Sequence, residues 1–365
     1  MDMMFVEDCC QILDSMRVPI TASNREEGEY PYYGANGIQD YVADYIFDDE
    51  LVLLAEDGGN FGSKERPIAY RVSGKCWVNN HAHVLKPKEG LDVDYLCYSL
   101  MFYKVDGMVN GATRQKLTQA AMRKMQIPSR SIDEQKYIVD ELNRIIRIKE
   151  QRQQELRLLD DLIKARFVEM FGDPTTNPKG YPIKVLSEIA EYWNGLTYKP
   201  EDVSDEGIIV LRSSNIQNAT LDFADIVRVS CKIGDKKYVQ DNDILMCSRN
   251  GSARLVGKVA LIKEVEEPMS FGAFMMIIRS AYYSYLMTYF QMPAFRMQIA
   301  TGATTTINQI TGRMLDAVKL PVPDADTINQ FADFVKQVDK SKVAVQKALD
   351  ETQMLFDSLM QKYFA

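Results

Sequence analysis

The sequence contains the same pattern twice. Similar residues in the later part of each copy lie 193 positions apart, as in the pairs Pro128/Pro321, Ile138/Phe331, Leu156/Leu349 and Phe171/Phe364. Other stretches match at nearly the same shift: Asn242–Gly251 with Asp49–Gly58 at 193, Gly302–Thr304 with Gly111–Thr113 at 191, and LRSSNI at 211–216 with YYGANGI at 32–38 at about 180. Small changes of shift are expected where loops differ in length. The pattern therefore predicts two copies of one fold with near two-fold symmetry, which suits a symmetric partner such as duplex DNA.

A long helix is predicted at the end of each copy, over about 131–171 and 324–364. Pro128 precedes the first helix, and Ser131 with Glu134 has the spacing of a capping box. Asp324 or Asp326 is the expected N-cap of the second helix. Glycine and proline after Phe171 give the expected stop signal of the first helix.

Both helices carry side chains at the alternating spacing of four and three residues that is typical of a left-handed coiled coil. A basic residue interrupts this seam in each helix, at Lys149 and Lys342. Because 40 residues at about 1.5 Å each span roughly 60 Å, an antiparallel pair is favoured over two helices that each lie on a separate domain. The predicted seam includes Ile138, Leu142, Leu156 and Leu159 in the first helix and Phe331, Val335, Leu349 and Phe356 in the second.

The part of each copy before its helix contains short β-type runs such as LVLLAED and ILMCSRN, separated by turns with glycine. The expected fold is α+β, with two pseudo-symmetric globular domains at 1–129 and 173–322. Helices at 130–172 and 323–365 separate them and form an antiparallel coiled coil. A chain of 365 residues has room for two such domains.

Composition indicates a soluble globular protein of a reducing compartment. The apolar fraction is 46% and the charged fraction is 26%, which is typical of folded soluble chains. No apolar run reaches the length of a membrane span, and MDMMFVEDCC carries acids where a signal peptide carries bases. The six cysteines show no CxxC pairing, so we expect neither disulfides nor a zinc site, and a cytoplasmic location.

No motif for catalysis, a cofactor or a metal is found. His81 and His83 alternate as ligands on a strand can, but the second copy has Gly272 and Phe274 at the matching positions. A structural or DNA-facing role is therefore favoured for both histidines. The stretch GGNFGSK at 58–64 lacks the spacing of a phosphate-binding loop. We expect no bound cofactor.

Three segments carry a resemblance to a known family. They are YPYYGANGIQDYVADYIFDDELVLLAEDGGNFG at 30–62, IPSRSIDEQKYIVDEL at 127–142 and LPVPDADTINQFADFVKQVDKSK at 320–342. They resemble the first target-recognition domain and the two conserved helices of specificity subunits of type I restriction–modification systems. The resemblance implies a non-catalytic subunit whose two target-recognition domains read a bipartite site on double-stranded DNA. It also implies two methyltransferase subunits and two ATP-dependent motor–nuclease subunits as partners.

The acidic charge of −8, from 43 basic and 51 acidic residues, requires a DNA-binding protein to collect its bases on one face. Loops matched between the copies supply the candidates. Asparagine and arginine can read adenine and guanine edges, although most of the basic residues are expected to contact phosphates. Structural turns and helix capping are the alternatives for these loops. The candidate residues are Tyr33, Asn36, Lys64, Arg66, Arg114 and Lys116 in the first copy, and Arg212, Asn215, Arg249, Asn250, Arg254 and Lys258 in the second.

Two other functions are compatible with the sequence. The chain could be a free-standing DNA nuclease or methyltransferase, which incubation of the pure protein with DNA, magnesium and S-adenosylmethionine would reveal. It could also be an assembly scaffold whose recognition domains are inactive, in which case a reconstituted complex would bind DNA without sequence preference.

Inserting one heptad into both helices is expected to lengthen the gap of unspecified base pairs that separates the two halves of the bipartite DNA target. Seven residues add about 10 Å of helix, which corresponds to roughly three base-pair steps. Sequencing the methylated DNA of cells that carry the variant measures the gap. An active variant complex that keeps the original gap would contradict the role of the helices as a spacer.

Overall fold

The two long helices predicted from the seam spacing are confirmed. The computed structural model describes residues 2–111, 115–300 and 308–364. The long helices cover Ile132–Phe171 and Ala325–Phe364. The chain divides into two compact units, of which unit 1 comprises Met1–Gln153 with Lys347–Ala365 and unit 2 comprises Gln154–Gln346. Each unit therefore takes one half of each long helix.

The helix ends follow the predicted caps. The Ser131 hydroxyl accepts from the Glu134 amide at 3.4 Å, and the Glu134 carboxylate accepts from the Ser131 amide at 3.0 Å. Asp324 rather than Asp326 caps the second helix, because its carboxylate accepts from the Thr327 amide at 2.8 Å. Gly172 has a φ of +77°, as expected after a helix that ends at Phe171.

Unit 1 is built mainly from strands, which a helix covers on one face. The elements of the first copy are β1 (Met3–Phe5), α1 (Val6–Cys9), β2 (Cys10–Ile12), β3 (Glu27–Gly34), β4 (Gly37–Val42), β5 (Phe47–Ala55), β6 (Ala69–Val78), β7 (Ala82–Pro87), α2 (Val93–Met101), β8 (Val109–Asn110), β9 (Lys116–Leu117), α3 (Gln119–Arg123), β10 (Gln126–Pro128) and the long helix α4 (Ile132–Phe171), whose second half belongs to unit 2. The largest sheet in the described part of unit 1 has the order β2-β7-β5-β6-β3-β4, and its strands are antiparallel except for the β3–β6 pair.

Unit 2 has the same sequence of parts with shorter strands. The elements of the second copy are β11 (Ile183–Val185), β12 (Glu191–Asn194), β13 (Val203–Ser204), β14 (Ile208–Leu211), β15 (Ile216–Gln217), β16 (Thr220–Leu221), β17 (Arg228–Val229), β18 (Ile244–Cys247), β19 (Val259–Leu261), β20 (Met269–Phe271), β21 (Met275–Arg279), α5 (Tyr283–Tyr289), α6 (Pro293–Ala300), α7 (Gly312–Asp316), β22 (Lys319–Pro321) and the long helix α8 (Ala325–Phe364), whose second half belongs to unit 1. The main sheets of unit 2 have the orders β12-β21-β18-β19 and β13-β17-β14-β20, and β14–β20 is the parallel pair.

The same contacts occur within each unit just before its long helix begins. In unit 1 the pair β1–β10 joins Met3 to Pro128, and in unit 2 the pair β11–β22 joins Ile183 to Pro321. A tyrosine hydroxyl donates to the carbonyl of each of these prolines, from Tyr95 in unit 1 and from Tyr285 in unit 2. The repeat seen in the sequence is therefore a repeat of tertiary contacts.

The central strands β5 and β18 read as continuous apolar runs because both of their faces are covered. In β5, Val52 and Leu54 belong to the core that includes α2 and α4, whereas Leu51 and Leu53 belong to a second core with β6 and β7. In β18, the matching alternation places Ile244 and Met246 on the helix side and Leu245 and Cys247 on the other side.

Strand pairing corrects the alignment of the two copies by one or two residues. Leu54 pairs with His83, and Met246 pairs with Met276, so β5 and β18 match at a shift of 192 rather than 193. The following strands match at 193, not 191, which makes His81 rather than His83 the counterpart of Phe274. An apolar run buried on both faces carries no record of which face a residue occupies, and for this reason the sequence allowed the slip.

The antiparallel pairing of the long helices is confirmed by contacts within each unit. In unit 1, Glu141 accepts from the Tyr363 hydroxyl and Lys149 donates to Gln353. Residue numbers therefore increase along α4 in the direction in which they decrease along α8. In unit 2, Lys342 of α8 pairs with Asp160 of α4. All predicted seam positions are buried or half-buried. In the described residues no helix is long and apolar enough to cross a lipid bilayer.

The seam lysines make the same contact in both copies. Lys149 lies opposite Gln353, and Lys342 lies opposite Asp160, and the two contacts are related by the 193-residue shift. The Lys149 ammonium also lies 5.2 Å from the centroid of the Phe356 ring. A charged residue that has one good partner in one register disfavours other registers, so both lysines fix the alignment of the helices.

Replacing Leu142 by aspartate should destabilise the chain strongly. Leu142 is fully buried in the seam, and the variant would leave an unpaired charge in a space shaped for leucine. We expect a loss of about 3 kcal/mol or more in the free energy of unfolding, measured by chemical denaturation. Leu158→Asp is the matched control, because Leu158 lies on the same helix and is exposed. Equal unfolding midpoints for the two variants would contradict the assigned seam.

Candidate nucleic-acid interface

Three loops of unit 1 meet beyond the end of β5. The Asn36 amide, in the turn between β3 and β4, donates to the carbonyl of Gly58 at 3.0 Å. The Gly58 amide donates in turn to the carbonyl of Gln115 at 3.3 Å. The β3–β4 turn, the loop after β5 and the loop before β9 therefore form one surface. These are the loops that the sequence comparison singled out.

The predicted contact residues of unit 1 differ in how available they are. Lys64 and Arg66 are exposed in the loop after β5. Tyr33 is half-buried against Tyr70, with ring centroids 5.8 Å apart, and Lys116 is exposed but forms an ion pair of 2.9 Å with Glu56. Arg114 lies outside the described residues. Lys64 and Arg66 thus carry the available positive charge among the described candidates of this unit.

A buried ionic network that the sequence did not reveal lies beneath these loops. His83 is fully buried, and its Nδ1 lies 2.7 Å from a carboxylate oxygen of Asp14 while its Nε2 lies 2.9 Å from the carbonyl oxygen of Leu117. The Arg17 guanidinium donates to Glu56 at 2.6 Å. The network joins β5, β7 and β9 to the 3₁₀ turn at Asp14–Met16. Its members are far apart in sequence, and each is an ordinary residue type in isolation.

Three residues of the network have the spacing of metal ligands, since oxygen and nitrogen atoms of Asp14, Glu56 and His83 lie within 4.8 Å of one another. Protein cations already occupy this space, however. Arg17 contacts both carboxylates, and Lys116 contacts Glu56. The two carboxylates are paired with these basic side chains, and Asp14 also contacts the His83 ring, so the arrangement serves to hold the loops in place.

The pKa values of the two carboxyl groups agree with this role. Burial alone raises the pKa of Asp14, but hydrogen bonds from His83 and Gln119 outweigh it and bring the pKa below its usual range. Burial also raises the pKa of Glu56, and Arg17 and Lys116 lower it further than burial raises it. Both groups therefore stabilise the fold above their usual pKa values, and this stabilisation is lost as the pH falls through the lowered values.

Equivalent loops of unit 2 also meet, beyond the end of β18. The Asn250 side chain donates to the Ser213 hydroxyl at 3.2 Å, and the Lys258 ammonium donates to the carbonyl of Ile216 at 3.0 Å. The backbone confirms the equivalence of the turns. The carbonyls of Tyr33 and Leu211 accept from the amides of Asn79 and Gly272, respectively.

The predicted residues of unit 2 divide into structural and available groups. Asn215 is 1% exposed, and its amide donates to the carbonyls of Asp222 and Asp225. This side chain shapes its own turn, so we replace the expected direct DNA contact of Asn215 by a structural role. Arg212 is half-exposed and forms an ion pair of 2.7 Å with Asp225. Arg249 and Arg254 are exposed.

An open cavity of about 510 Å³ lies among these loops in unit 2. Arg212, Ser213, Arg249 and Asn250 border it, which brings four residues of the two matched loops to one place. Phe274, which was not among the predicted contact residues, also borders the cavity and is 59% exposed. No sequence signal distinguishes Phe274 from the many aromatic residues of the core.

Comparisons with known proteins agree with this arrangement. A family model described as type I restriction modification DNA specificity domain matches residues 1–158 and 178–352. A putative type I restriction enzyme specificity subunit of Haemophilus influenzae is 38% identical over 134 residues, which are 37% of this chain and 34% of that protein. The StySPI specificity subunit of Salmonella potsdam is 26% identical over 183 residues, 47% of this chain and 39% of that protein. The chain thus matches little more than a third of each relative's length.

Solved structures extend the likeness in fold to the whole chain. The S subunit of a type I restriction–modification system from M. genitalium matches with a TM-score of 0.55 and 12% identity, covering 100% of this chain and 96% of that chain. A chain from a structure of complex assembly and conformational transition of the type I system matches with a TM-score of 0.55, 14% identity and the same coverage. Because the family model matches both copies and most of the sequence, the chain belongs to the family of type I restriction–modification specificity subunits.

Proposed function

We propose that this chain is the non-catalytic subunit that reads DNA sequence for a cytoplasmic type I restriction–modification complex. Each unit would read one half of a bipartite site on double-stranded DNA. The observation that carries the proposal is the repeat of one loop arrangement in two units. In both units, exposed basic side chains and an asparagine, Asn36 or Asn250, lie where the turn after the parallel strand meets the loop after the central strand.

The charge distribution supports DNA contact despite the acidic total. Lys64 and Arg66 in unit 1 and Arg254 in unit 2 are exposed and lie in equivalent loops. Within the described residues, no carboxylate forms an ion pair with any of these three side chains. Phosphate contacts position a protein on the duplex without reading bases, and these residues suit that role.

The partners would be two methyltransferase subunits and, for cleavage, two ATP-dependent motor–nuclease subunits. The long helices expose apolar side chains that a monomer has no reason to leave in water, and such patches are typical of protein interfaces. They occur on the α4 and α8 parts of both units, so each unit offers a surface of its own to a copy of the same partner. The exposed residues include Tyr137, Leu158, Leu162, Val343 and Met354.

The saturated ionic network argues against an independent enzyme. A catalytic acid, base or metal ligand needs access to substrate, whereas His83 has neither exposed surface nor an unused ring nitrogen. The reaction of the complex would therefore be carried out by its partner subunits. Methyl transfer or strand cleavage by the pure chain would instead support the enzyme alternative.

Exchanging residues 173–322 for the matching domain of a relative should change one half of the methylated motif and leave the other half unchanged. The reason is that each unit has its own core and its own set of contact loops. Sequencing of methylated DNA from cells carrying the hybrid measures both halves. The reciprocal exchange of residues 1–129 is the control and should alter only the other half. A single exchange that alters both halves would contradict independent reading.

Alanine at Lys64, Arg66 or Arg254 should weaken binding of the assembled methyltransferase complex to all DNA sequences alike. Loss of one phosphate contact should reduce the slope of log affinity against log salt by about one. Binding measured across a salt series tests this. Lys136→Ala, an exposed lysine of α4 outside these loops, is the control and should keep the original slope. Unchanged slopes for all three loop variants would contradict the assignment of this surface.

A further inference from the structure

At two equivalent positions, the side chains of unit 1 differ in chemistry from those of unit 2. The carbonyl of His81 accepts from the Glu56 amide at 2.9 Å, and the carbonyl of Phe274 accepts from the Ser248 amide at 2.9 Å. The residues that follow Glu56 and Ser248 are Asp57 and Arg249. Asp57 and His81 of unit 1 are therefore the counterparts of Arg249 and Phe274 of unit 2.

The members of each pair contact each other. In unit 1, Nδ1 of His81 lies 2.7 Å from a carboxylate oxygen of Asp57. In unit 2, the Arg249 guanidinium lies 5.2 Å from the centroid of the Phe274 ring. One fold thus keeps two positions in contact while it exchanges an acid and an imidazole for a guanidinium and a phenyl ring. Positions that vary in chemistry on a constant backbone are suited to setting specificity.

Phe274 is held rigidly although its ring is exposed. Its carbonyl accepts three hydrogen bonds, from the Ser248 amide and hydroxyl, both at 2.9 Å, and from the Arg249 amide at 3.1 Å. Met275, which follows it, and Phe271, three residues before it, are buried. The ring itself contributes little to the core, so it is presented to solvent on a fixed turn, as a recognition element should be.

Arg249 completes this element. Its side chain is exposed, and in the part of the chain that the structure describes its guanidinium has no hydrogen-bond or ion-pair acceptor. It borders the same cavity as Phe274. A guanidinium fork matches O6 and N7 of guanine in the major groove, and a phenyl ring matches the methyl group of thymine. A position over the ring restricts the guanidinium and reduces the entropy lost on binding.

We propose that Arg249 and Phe274 form a base-reading pair of unit 2. Arg249 donates two hydrogen bonds to a guanine of the second half-site, and Phe274 contacts the methyl group of an adjacent thymine. Asp57 and His81 occupy this place in unit 1, so the first half-site is read differently. The inference rests on the proposed function and assigns to Arg249 base reading in place of the phosphate contact expected from the sequence.

The Arg249→Lys variant distinguishes base reading by Arg249 from phosphate contact by Arg249. Lysine keeps the charge and loses the fork, so a phosphate contact survives the change whereas bidentate reading of guanine does not. The assembled methyltransferase complex is tested on duplexes that carry the mapped motif and on duplexes with one altered base pair each. We expect Arg249→Lys to lose most of its discrimination at one G·C pair of the second half-site, by about 5- to 150-fold.

Phe274→Ala is expected to relax the neighbouring T·A pair, and Phe274→Leu should retain part of that preference because leucine also offers an apolar contact. Arg157→Lys is the matched control, because Arg157 is an exposed arginine of α4 outside these loops, and it should leave every base preference unchanged. Because Phe274 and Arg249 are exposed, melting temperatures near that of the unaltered chain are expected for all variants.

The outcomes separate this inference from the proposed function. If the unaltered complex prefers a bipartite site and Arg249→Lys and Phe274→Ala keep the same base preferences, the base-reading pair is wrong and the proposed function stands. A uniform loss of affinity in Arg249→Ala that lysine restores would also overturn the pair in favour of phosphate contact. An unaltered complex without any sequence preference would contradict both.

Discussion

The packing of two helices that are distant in sequence is the constraint on which the rest of the structure depends. Phe356 and Tyr363 of α8 belong to the core of unit 1, whereas Phe167 and Phe171 of α4 belong to the core of unit 2. In unit 2, the rings of Phe167, Phe171 and Phe331 form a cluster with centroids 4.9–5.6 Å apart. Each unit is therefore completed by a helix that begins in the other copy, and neither copy can bury its apolar surface alone.

The repeat keeps its framework constant and varies the chemistry of its loops. Strand order around the central strand, the parallel pair and the tyrosine that binds the proline carbonyl occur in both units. The loops beyond these strands differ in kind, with an ionic network and an acid–imidazole pair in unit 1 and an arginine–phenylalanine pair in unit 2. Such a division agrees with the proposed function, in which the two units would read unlike half-sites.

Features with a local cause could be predicted from the sequence. The capping box of Ser131, the cap of Asp324 and the stop at Gly172 depend on residues within a few positions of each other, and the helix seam follows from periodicity. The alignment of β5 with β18 was wrong by one residue, because both faces of these strands are buried and any register looks equally apolar.

Features with a long-range cause could not be predicted. The Asp14–His83 contact joins residues 69 positions apart, and only the folded sheet brings them together. Asn215 resembled a base-reading residue because asparagine serves both in recognition and in turns, and its burial decided between these roles. Phe274 is one of 15 phenylalanines, and nothing in the sequence indicates that its ring is exposed.

In the proposed function, the two units of one chain read two separate half-sites. Mapping methylated adenines in the DNA of the host tests this most directly, because the map shows every specified base at once. We expect one motif with two unlike specified halves on either side of a gap of fixed length and unspecified sequence. A single continuous motif, or methylation without any motif that depends on this chain, would contradict it.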